Sequence, residues 1–327
     1  MRTDVTHRIV ETNGIRMHLA EMGTGPLVLL CHGFPELWYS WRHQLRALAE
    51  AGFRVVAPDM RGYGQTDRPE AIDQYTLFHM LGDIVGLLDA LGAEQSVIAG
   101  HDWGATVAWH AVQLRPDRFR AVIGLSVPFR ARGSARPTTL MPQTDDAMWY
   151  QLYFQEPGVA EAEYDRNARV VFHAGKISIS GNALPATRPF GMVPRHGRPF
   201  RWDAPAPPLP AWLSEADVDF YTAEFTRTGF RGGLNWYRNV DRNWELLAPF
   251  HGLKVSVPAL YIAGDRDPVL KFPGMDRHIA DMAKFVPHLR DTLMLPGCGH
   301  ITQEERAGEV SAAMIDFLRG LATERAA

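Results

Sequence analysis

From residue 7 to about residue 126, short apolar runs rich in β-branched residues alternate with helical patterns. This alternation is the strongest constraint on the fold, because parallel strands can be joined only by a crossover, which is usually a helix. It predicts βαβ units and a largely parallel sheet, with a hairpin formed by the first two strands. The predicted strands cover residues 7–11, 15–21, 27–31, 54–58, 96–100 and 121–126, and the predicted helices cover residues 41–50, 75–91 and 103–115.

The alternation stops after Pro128 and resumes near residue 258. The intervening residues 129–250 are rich in Tyr, Trp, Phe and Pro and contain helical stretches without a convincing series of strands, so we interpret them as an inserted, mainly helical cap. Within this cap, eight prolines between residues 180 and 210 exclude a helix or a central strand and predict a long loop. Beyond the cap, we expect strands at residues 258–264 and 292–295 and helices at residues 275–283 and 307–321.

The expected architecture is therefore one α/β core that is discontinuous in sequence. Residues 1–128 and 251–327 form the core, which holds a mostly parallel eight-stranded sheet flanked by helices, and the cap is inserted after the sixth strand. A chain of 327 residues is long enough to bury a substantial core of this kind.

Composition excludes several classes of partner. The formal net charge of −3 gives no basic excess to attract nucleic acid or anionic lipid. No apolar run near the start of the sequence is long enough for a signal peptide or a spanning helix, so we expect a cytoplasmic protein. Cys31 and Cys298 lack metal-ligand spacing and are interpreted as free thiols, and no metal or cofactor is expected. Whether the chain forms a homodimer is left open.

The most informative motif is Gly100-His101-Asp102-Trp103-Gly104, which follows a buried apolar run and begins a predicted helix. It has the form of a nucleophile elbow, in which a sharp strand-to-helix turn raises the central side chain above the sheet and the flanking glycines avoid steric clashes. The central residue is Asp instead of Ser. Aspartate is also common as a helix N-cap, but the glycines at elbow spacing and the partner motifs favour Asp102 as a nucleophile.

A second motif, His32-Gly33-Phe34-Pro35, follows the third strand and reaches the same carboxyl edge of the sheet, where ligands bind in such folds. The backbone N–H groups of Phe34 and Trp103 could form an oxyanion hole there. For the His32 side chain we favour a structural role in which it satisfies backbone groups.

Two late loops supply candidates for a base and an acid. Gly297-Cys298-Gly299-His300 follows the last strand, and Gly264-Asp265-Arg266-Asp267 follows the one before it, which gives the order nucleophile, acid, histidine. Asp265 and Asp267 compete for the acid, since loop aspartates are often turn formers. We choose Asp267 because it lies deeper in the loop that must reach His300.

Taken together, these motifs resemble the soluble epoxide hydrolases of the α/β-hydrolase family over nearly the whole chain. The similarity includes His32-Gly33-Phe34-Pro35-Glu36, the elbow, the segment from Tyr150 to Gly158 and Leu234-Asn235-Trp236-Tyr237-Arg238-Asn239. The resemblance implies that Tyr150 and Tyr237 hold the epoxide oxygen. It implies a substrate pocket that includes Phe34, Pro35, Trp103 and Gln151. It also favours Asp267 as the acid. The proline-rich stretch is the part of the chain that matches the family least.

The implied reaction fits an aspartate nucleophile. A carboxylate that opens an epoxide gives an ester that water can cleave, whereas a serine would give a stable ether. The absence of serine at the elbow also argues against an esterase. A haloalkane dehalogenase shares the fold and the Asp-Trp pair, but a halide leaves without a proton, so the two tyrosines favour the epoxide. A non-catalytic protein that binds ligands on the same scaffold is the third interpretation, because fold alone does not establish activity.

Overall fold

The computed structural model describes residues 4–183, 190–196 and 206–326 of the chain. The first half alternates strands and helices as predicted, with boundaries within two residues of those expected. Its strands are β1 (Thr6–Thr12), β2 (Ile15–Met22), β3 (Leu27–Cys31), β4 (Arg54–Pro58), β5 (Ser96–His101) and β6 (Phe119–Leu125), and its helices are α1 (Arg42–Glu50), α2 (Leu77–Ala90) and α3 (Trp103–Leu114).

The segment between β6 and the next core strand contains mostly short helices but also two strands that the sequence did not predict. The strands β7 (Ala147–Trp149) and β8 (Met192–Pro194) form a small antiparallel sheet. The helices are α4 (Pro137–Leu140), α5 (Tyr150–Tyr153), α6 (Val159–Tyr164), α7 (Ala168–Val170), α8 (Lys176–Ser178), α9 (Glu215–Thr228), α10 (Arg231–Arg238) and α11 (Val240–Leu246), with a π-helical turn (Val171–Gly175) between α7 and α8.

The strand β8 corrects the prediction of an uninterrupted loop over residues 180–210. Pro194 is tolerated because it ends a three-residue strand in a two-stranded sheet, where a missing N–H leaves little of the ladder unpaired. The remaining described residues of that stretch are turns and irregular backbone. Residues 184–189 and 197–205, over which the loop was also predicted, lie outside the described residues.

After this segment the chain returns to the core. The helix predicted at residues 275–283 is two short helices that meet at Asp281, and the last strand begins three residues earlier than expected. The elements are β9 (Ala259–Gly264), α12 (Met275–Ala280), α13 (Met282–Phe285), β10 (Leu289–Leu295), α14 (Thr302–Glu305) and α15 (Ala307–Ala326).

The eight core strands form one sheet in the order β1-β2-β4-β3-β5-β6-β9-β10. β2 pairs antiparallel with both β1 and β4, and every other pair in the sheet is parallel. Both faces are covered: in β3, Leu29 belongs to one apolar cluster and Leu30 to the other. This burial on both faces explains why the central strands appear in the sequence as continuous apolar runs.

The parallel strands place their carboxyl ends at one edge of the sheet, where β3, β5, β6 and β9 are neighbours. The loops that follow them carry Phe34, Asp102, Ser126 and Asp267, and the loop after β10 carries His300. Among the described residues, none of the helices is both long enough and apolar enough to cross a membrane.

The helix α3 packs unusually close to β3 at this edge. A Cβ added to Gly104 would lie 2.1 Å from the carbonyl oxygen of Cys31, and a Cβ added to Gly100 would lie 2.0 Å from the carbonyl oxygen of Gly104. Because backbone oxygens held in a sheet and a helix cannot move aside, these two positions require glycine.

We predict that Gly104→Ala lowers the free energy of unfolding by about 3 kcal/mol, because the new methyl group forces α3 away from β3. Gly308→Ala is the matched control, since nothing lies within 4 Å of a Cβ there. Its stability should be unchanged or raised by up to about 1 kcal/mol. Urea unfolding of both variants measures this, and equal stability of the two variants would contradict the close approach.

Candidate active site

Asp102 lies between β5 and α3 with φ 53° and ψ −119°, a conformation that L-residues rarely adopt. The strained turn directs its carboxylate toward the loop after β3. There the Phe34 N–H donates to Asp102 Oδ1 over 2.9 Å. A Cβ added to Gly33 would lie 2.4 Å from the Cβ of Asp102, so glycine is needed for this approach. The elbow and the Phe34 loop therefore meet as the sequence predicted.

His300 lies beside this carboxylate and also reaches an acid. Its Nε2 is 3.7 Å from Asp102 Oδ2, and its Nδ1 is 3.1 Å from Asp267 Oδ1. Asp267 is fully buried. Asp265 instead accepts the N–H of Gly297, which is the role of a turn former. The structure thus places Asp267 in contact with His300, and it places Asp265 elsewhere.

The pKa values of this pair shift in opposite directions. Burial lowers the pKa of His300, but the charges and hydrogen bonds of Asp267 and Asp102 together outweigh burial, and the pKa of His300 lies well above its usual value. Burial raises the pKa of Asp267, but the charge of His300 and the hydrogen bonds from His300 and Ser126 bring it below its usual value. The two residues therefore form a buried ion pair while Asp102 carries its charge.

Ser126, which the sequence analysis did not select, joins this pair. Its hydroxyl donates to Asp267 Oδ2 over 2.6 Å and lies 2.8 Å from His300 Nδ1, so the proton on that nitrogen is shared between Ser126 and Asp267. Ser126 is fully buried with φ 67°, directly after β6. The one feature of the sequence that could have identified Ser126 is its position at the carboxyl end of a predicted central strand.

Glu36 and His101 form a second buried group that sequence reasoning missed. Glu36 accepts hydrogen bonds from the N–H of Gly33, from His101 and from the Gln303 amide, at 3.0, 3.0 and 3.1 Å. Burial raises the pKa of Glu36, but the charges of His101 and Lys176 and the hydrogen bonds from His101 and Gly33 reverse the shift and lower the pKa well below its usual value. Glu36 therefore presents a carboxylate to the cavity described below. By contrast, the His32 ring forms its hydrogen bonds with backbone groups, those of Gly33 and Met60, and packs edge-on against Tyr63.

Tyr150 and Tyr237 lie together on the side of the segment that faces Asp102. Their ring centroids are 5.9 Å apart. The Tyr150 hydroxyl accepts the Gln151 amide N–H over 2.9 Å, which leaves its own proton free to be donated. Burial first, and then the charge of Asp102, raise the pKa of Tyr237; burial likewise raises the pKa of Tyr150, so both phenols stay protonated at neutral pH.

These groups line one cavity of about 250 Å³ between the sheet edge and the segment above it. Among the predicted residues, the lining includes Phe34, Pro35, Asp102, Tyr150, Tyr237 and His300. Trp103 and Gln151 are not part of the lining, but they support it. The Trp103 ring packs edge-on against Tyr237 at 5.2 Å, and Gln151 holds the Tyr150 hydroxyl.

Most of the remaining wall is apolar or aromatic. Within the described residues there is no group of three or more His, Cys, Asp or Glu side chains that could hold a metal ion. Cys31 and Cys298 are buried free thiols. The cavity thus combines one carboxylate at a strained turn, one histidine paired with an acid and two neutral phenols.

Comparison with known proteins agrees with this geometry. A family model described as the α/β-hydrolase fold matches residues 26–307. Epoxide hydrolase A of Mycobacterium tuberculosis is 48% identical over 97% of this chain and 98% of its own length. Epoxide hydrolase 2 of Siraitia grosvenorii is 42% identical over 96% of this chain and 98% of its own length.

The chain belongs to the epoxide hydrolases of the α/β-hydrolase fold family. The crystal structure of epoxide hydrolase A from Mycobacterium thermoresistibile has a TM-score of 0.88 and 45% identity, and it covers 97% of this chain and 99% of the other. An epoxide hydrolase from Vigna radiata has a TM-score of 0.89 and 42% identity, with coverage of 98% and 99%. The predicted fold class, a mostly parallel eight-stranded α/β-hydrolase sheet, is confirmed.

The hydrogen bonds of Ser126 yield a stability prediction. Ser126→Ala removes a buried donor from the charged Asp267, and we expect the free energy of unfolding to fall by about 2 kcal/mol. Ser96→Ala is the matched control, because the hydroxyl of this buried serine has no hydrogen-bond partner among the described residues. Urea unfolding should separate the two variants. A Ser126→Ala protein as stable as Ser96→Ala would show that the bond to Asp267 contributes nothing.

Proposed function

We propose that this epoxide hydrolase opens its substrate by direct attack of the Asp102 carboxylate on a ring carbon, and then cleaves the resulting ester with water activated by His300. The observation that carries the proposal is the placement of the strained carboxylate and two protonated tyrosines in one cavity, with the paired histidine next to the carboxylate. The substrate is a small epoxide, and the product is a vicinal diol.

In the first step, Oδ2 is the attacking oxygen, because Oδ1 is already held by the Phe34 N–H. The new carbon–oxygen bond forms as the ring carbon–oxygen bond breaks. The ring oxygen leaves as an alkoxide that remains tethered, and it takes a proton from the hydroxyl of Tyr150 or Tyr237. An alkoxide is a far stronger base than a phenolate, so even a phenol of raised pKa can protonate it.

Ester formation changes the state of His300. It removes the charge of Asp102, which is one of the two carboxylates that raise the pKa of His300. The pKa therefore falls, His300 gives its proton through solvent to the tyrosinate left by the first step, and the neutral imidazole can then accept a proton from water. Before the ester exists, His300 is held as the ion-pair partner of Asp267.

In the second step, the water oxygen adds to Cγ of Asp102 while His300 takes one of its protons. The Phe34 and Trp103 N–H groups stabilise the negative charge that develops on Oδ1. The bond between Cγ and the alkyl oxygen then breaks, and His300 returns its proton to that oxygen, which leaves as the second hydroxyl of the diol. The other proton of the water, left on the Asp102 carboxylic acid, passes to His300 and restores the ion pair with Asp267.

Several further expectations accompany this proposal. Residues 129–250 act as the cap over a core made of residues 1–128 and 251–327. The protein acts in the cytoplasm on a small molecule, and a homodimer stays an open prediction. The haloalkane dehalogenase interpretation is not proposed, because Tyr150 and Tyr237, which line the cavity with Asp102, are acids that a halide does not need.

The tyrosines give the sharpest test of the first step. We expect Tyr150→Phe and Tyr237→Phe each to lower kcat for styrene oxide about 100-fold, because general-acid help is typically worth 10² or more, and the double variant to be nearly inactive. Steady-state diol formation, measured by chromatography, gives these rates. Asp102→Asn serves as the inactive reference.

Tyr153→Phe is the matched control, because this residue also lines the cavity but its hydroxyl, among the described parts of the chain, bonds only the carbonyl of Val159, at 3.4 Å. It should retain activity close to that of the unaltered enzyme. A double variant of Tyr150 and Tyr237 that still forms diol as fast as Tyr153→Phe would refute the role of the two phenols as acids.

A further inference from the structure

The loop that carries His300 rests directly on residues 179–181, where the proline-rich stretch begins. The His300 N–H donates to the carbonyl oxygen of Ile179 over 2.8 Å. A Cβ added to Gly299 would lie 2.2 Å from the carbonyl carbon of Ser180, and one added to Gly181 would lie 2.0 Å from the carbonyl oxygen of Gly297. No side chain fits between the two backbones at these points.

The side chain of Glu305, in α14, holds the two backbones together. Its Oε2 accepts the N–H of Gly299 at 2.9 Å and the N–H of Gly181 at 2.8 Å, and its Oε1 accepts the N–H of Ile301 at 3.0 Å. Gly299 and Ile301 flank His300, so one carboxylate fixes the backbone on both sides of it. The Arg266 guanidinium adds a bond to the carbonyl oxygen of Gly181 at 3.0 Å.

A different set of contacts positions Asp102. Its carboxylate is held by the Phe34 N–H, and its backbone is held by the turn between β5 and α3. Among the described residues, the Glu305 carboxylate accepts hydrogen bonds from backbone N–H groups, those of Gly181, Gly299 and Ile301. The geometry therefore separates the support of the base from the support of the nucleophile.

We propose that Glu305 is a positioning residue that ties residues 179–181 to the backbone on either side of His300, and so fixes the base for hydrolysis of the ester. The inference rests on the proposed covalent mechanism. It gives residues 179–181 a part in the second step, because backbone of the cap supports the loop that carries His300. It follows that weakening this tie slows ester hydrolysis and leaves ester formation unchanged.

The test is a single-turnover experiment with styrene oxide, in which quench-flow and intact-protein mass spectrometry follow the ester. Glu305→Gln keeps the size of the side chain but replaces one acceptor oxygen with an NH₂ group, which must face a backbone N–H. We expect ester formation within about twofold of the unaltered enzyme and hydrolysis slowed about 10- to 100-fold, so that ester accumulates. Glu309→Gln is the matched control, since Glu309 is half-exposed and bonds Arg306 one turn further on; both of its rates should be unchanged.

A second variant alters the same contact on the cap side, at Gly181. Gly181→Ala introduces a methyl group against the carbonyl oxygen of Gly297 and touches no catalytic side chain. It should slow hydrolysis selectively, as Glu305→Gln does, and it keeps the proposal open to refutation if Glu305→Gln fails to fold.

His300→Gln is the reference that separates the two proposals. If it accumulates ester while Glu305→Gln and Gly181→Ala hydrolyse ester at the normal rate, or slow both steps equally, the positioning role is wrong and the mechanism stands. If His300→Gln forms no ester, the covalent mechanism itself fails, and the inference fails with it.

Discussion

One close contact, between Gly104 at the start of α3 and the carbonyl oxygen of Cys31 at the end of β3, allows Asp102 to occupy its position. Because α3 begins against the sheet, the chain must reverse within one residue, and Asp102 takes a left-handed conformation that costs about 1–3 kcal/mol. The burial of β5 and of its neighbours β3 and β6 supplies the stability that offsets this strain. The same contact brings the carboxylate to the Phe34 N–H, and so it fixes the point around which the other groups are arranged.

The short helix α14 has the corresponding role for His300 and for the segment between β6 and β9. Gln303 donates to Glu36 in the cavity wall, Glu304 pairs with Arg42 in α1 and Lys176 in α8, and Glu305 holds the loop of His300. Three consecutive side chains thus connect the cavity wall, α1 and the segment between β6 and β9. Buried carboxylates with this many partners are costly to disrupt, because removing one partner leaves a charge without compensation.

Much of the fold could be predicted because its signals are local. The apolar runs of β3 and β4 gave their boundaries directly, and the glycines around Asp102 and His300 marked the loops that carry chemistry. Tyr150 and Tyr237 came from family resemblance, since a tyrosine that only packs and a tyrosine that reacts have the same local sequence pattern. Ser126 and Glu305 could not be identified, because their roles depend on contacts with residues far away in the chain. β8 was missed because the prolines of this stretch favour a loop, whereas a proline can also stand at the end of a short edge strand, as Pro194 does.

The central claim is that water attacks an ester of Asp102 and never the epoxide itself. A single turnover in heavy-oxygen water, with enzyme in excess, tests it most directly. The account predicts that the label appears in the proteolytic peptide containing Asp102, while the diol from that turnover carries none, because the diol takes its second oxygen from the old carboxylate. Label in the first diol, with none in Asp102, would contradict the account.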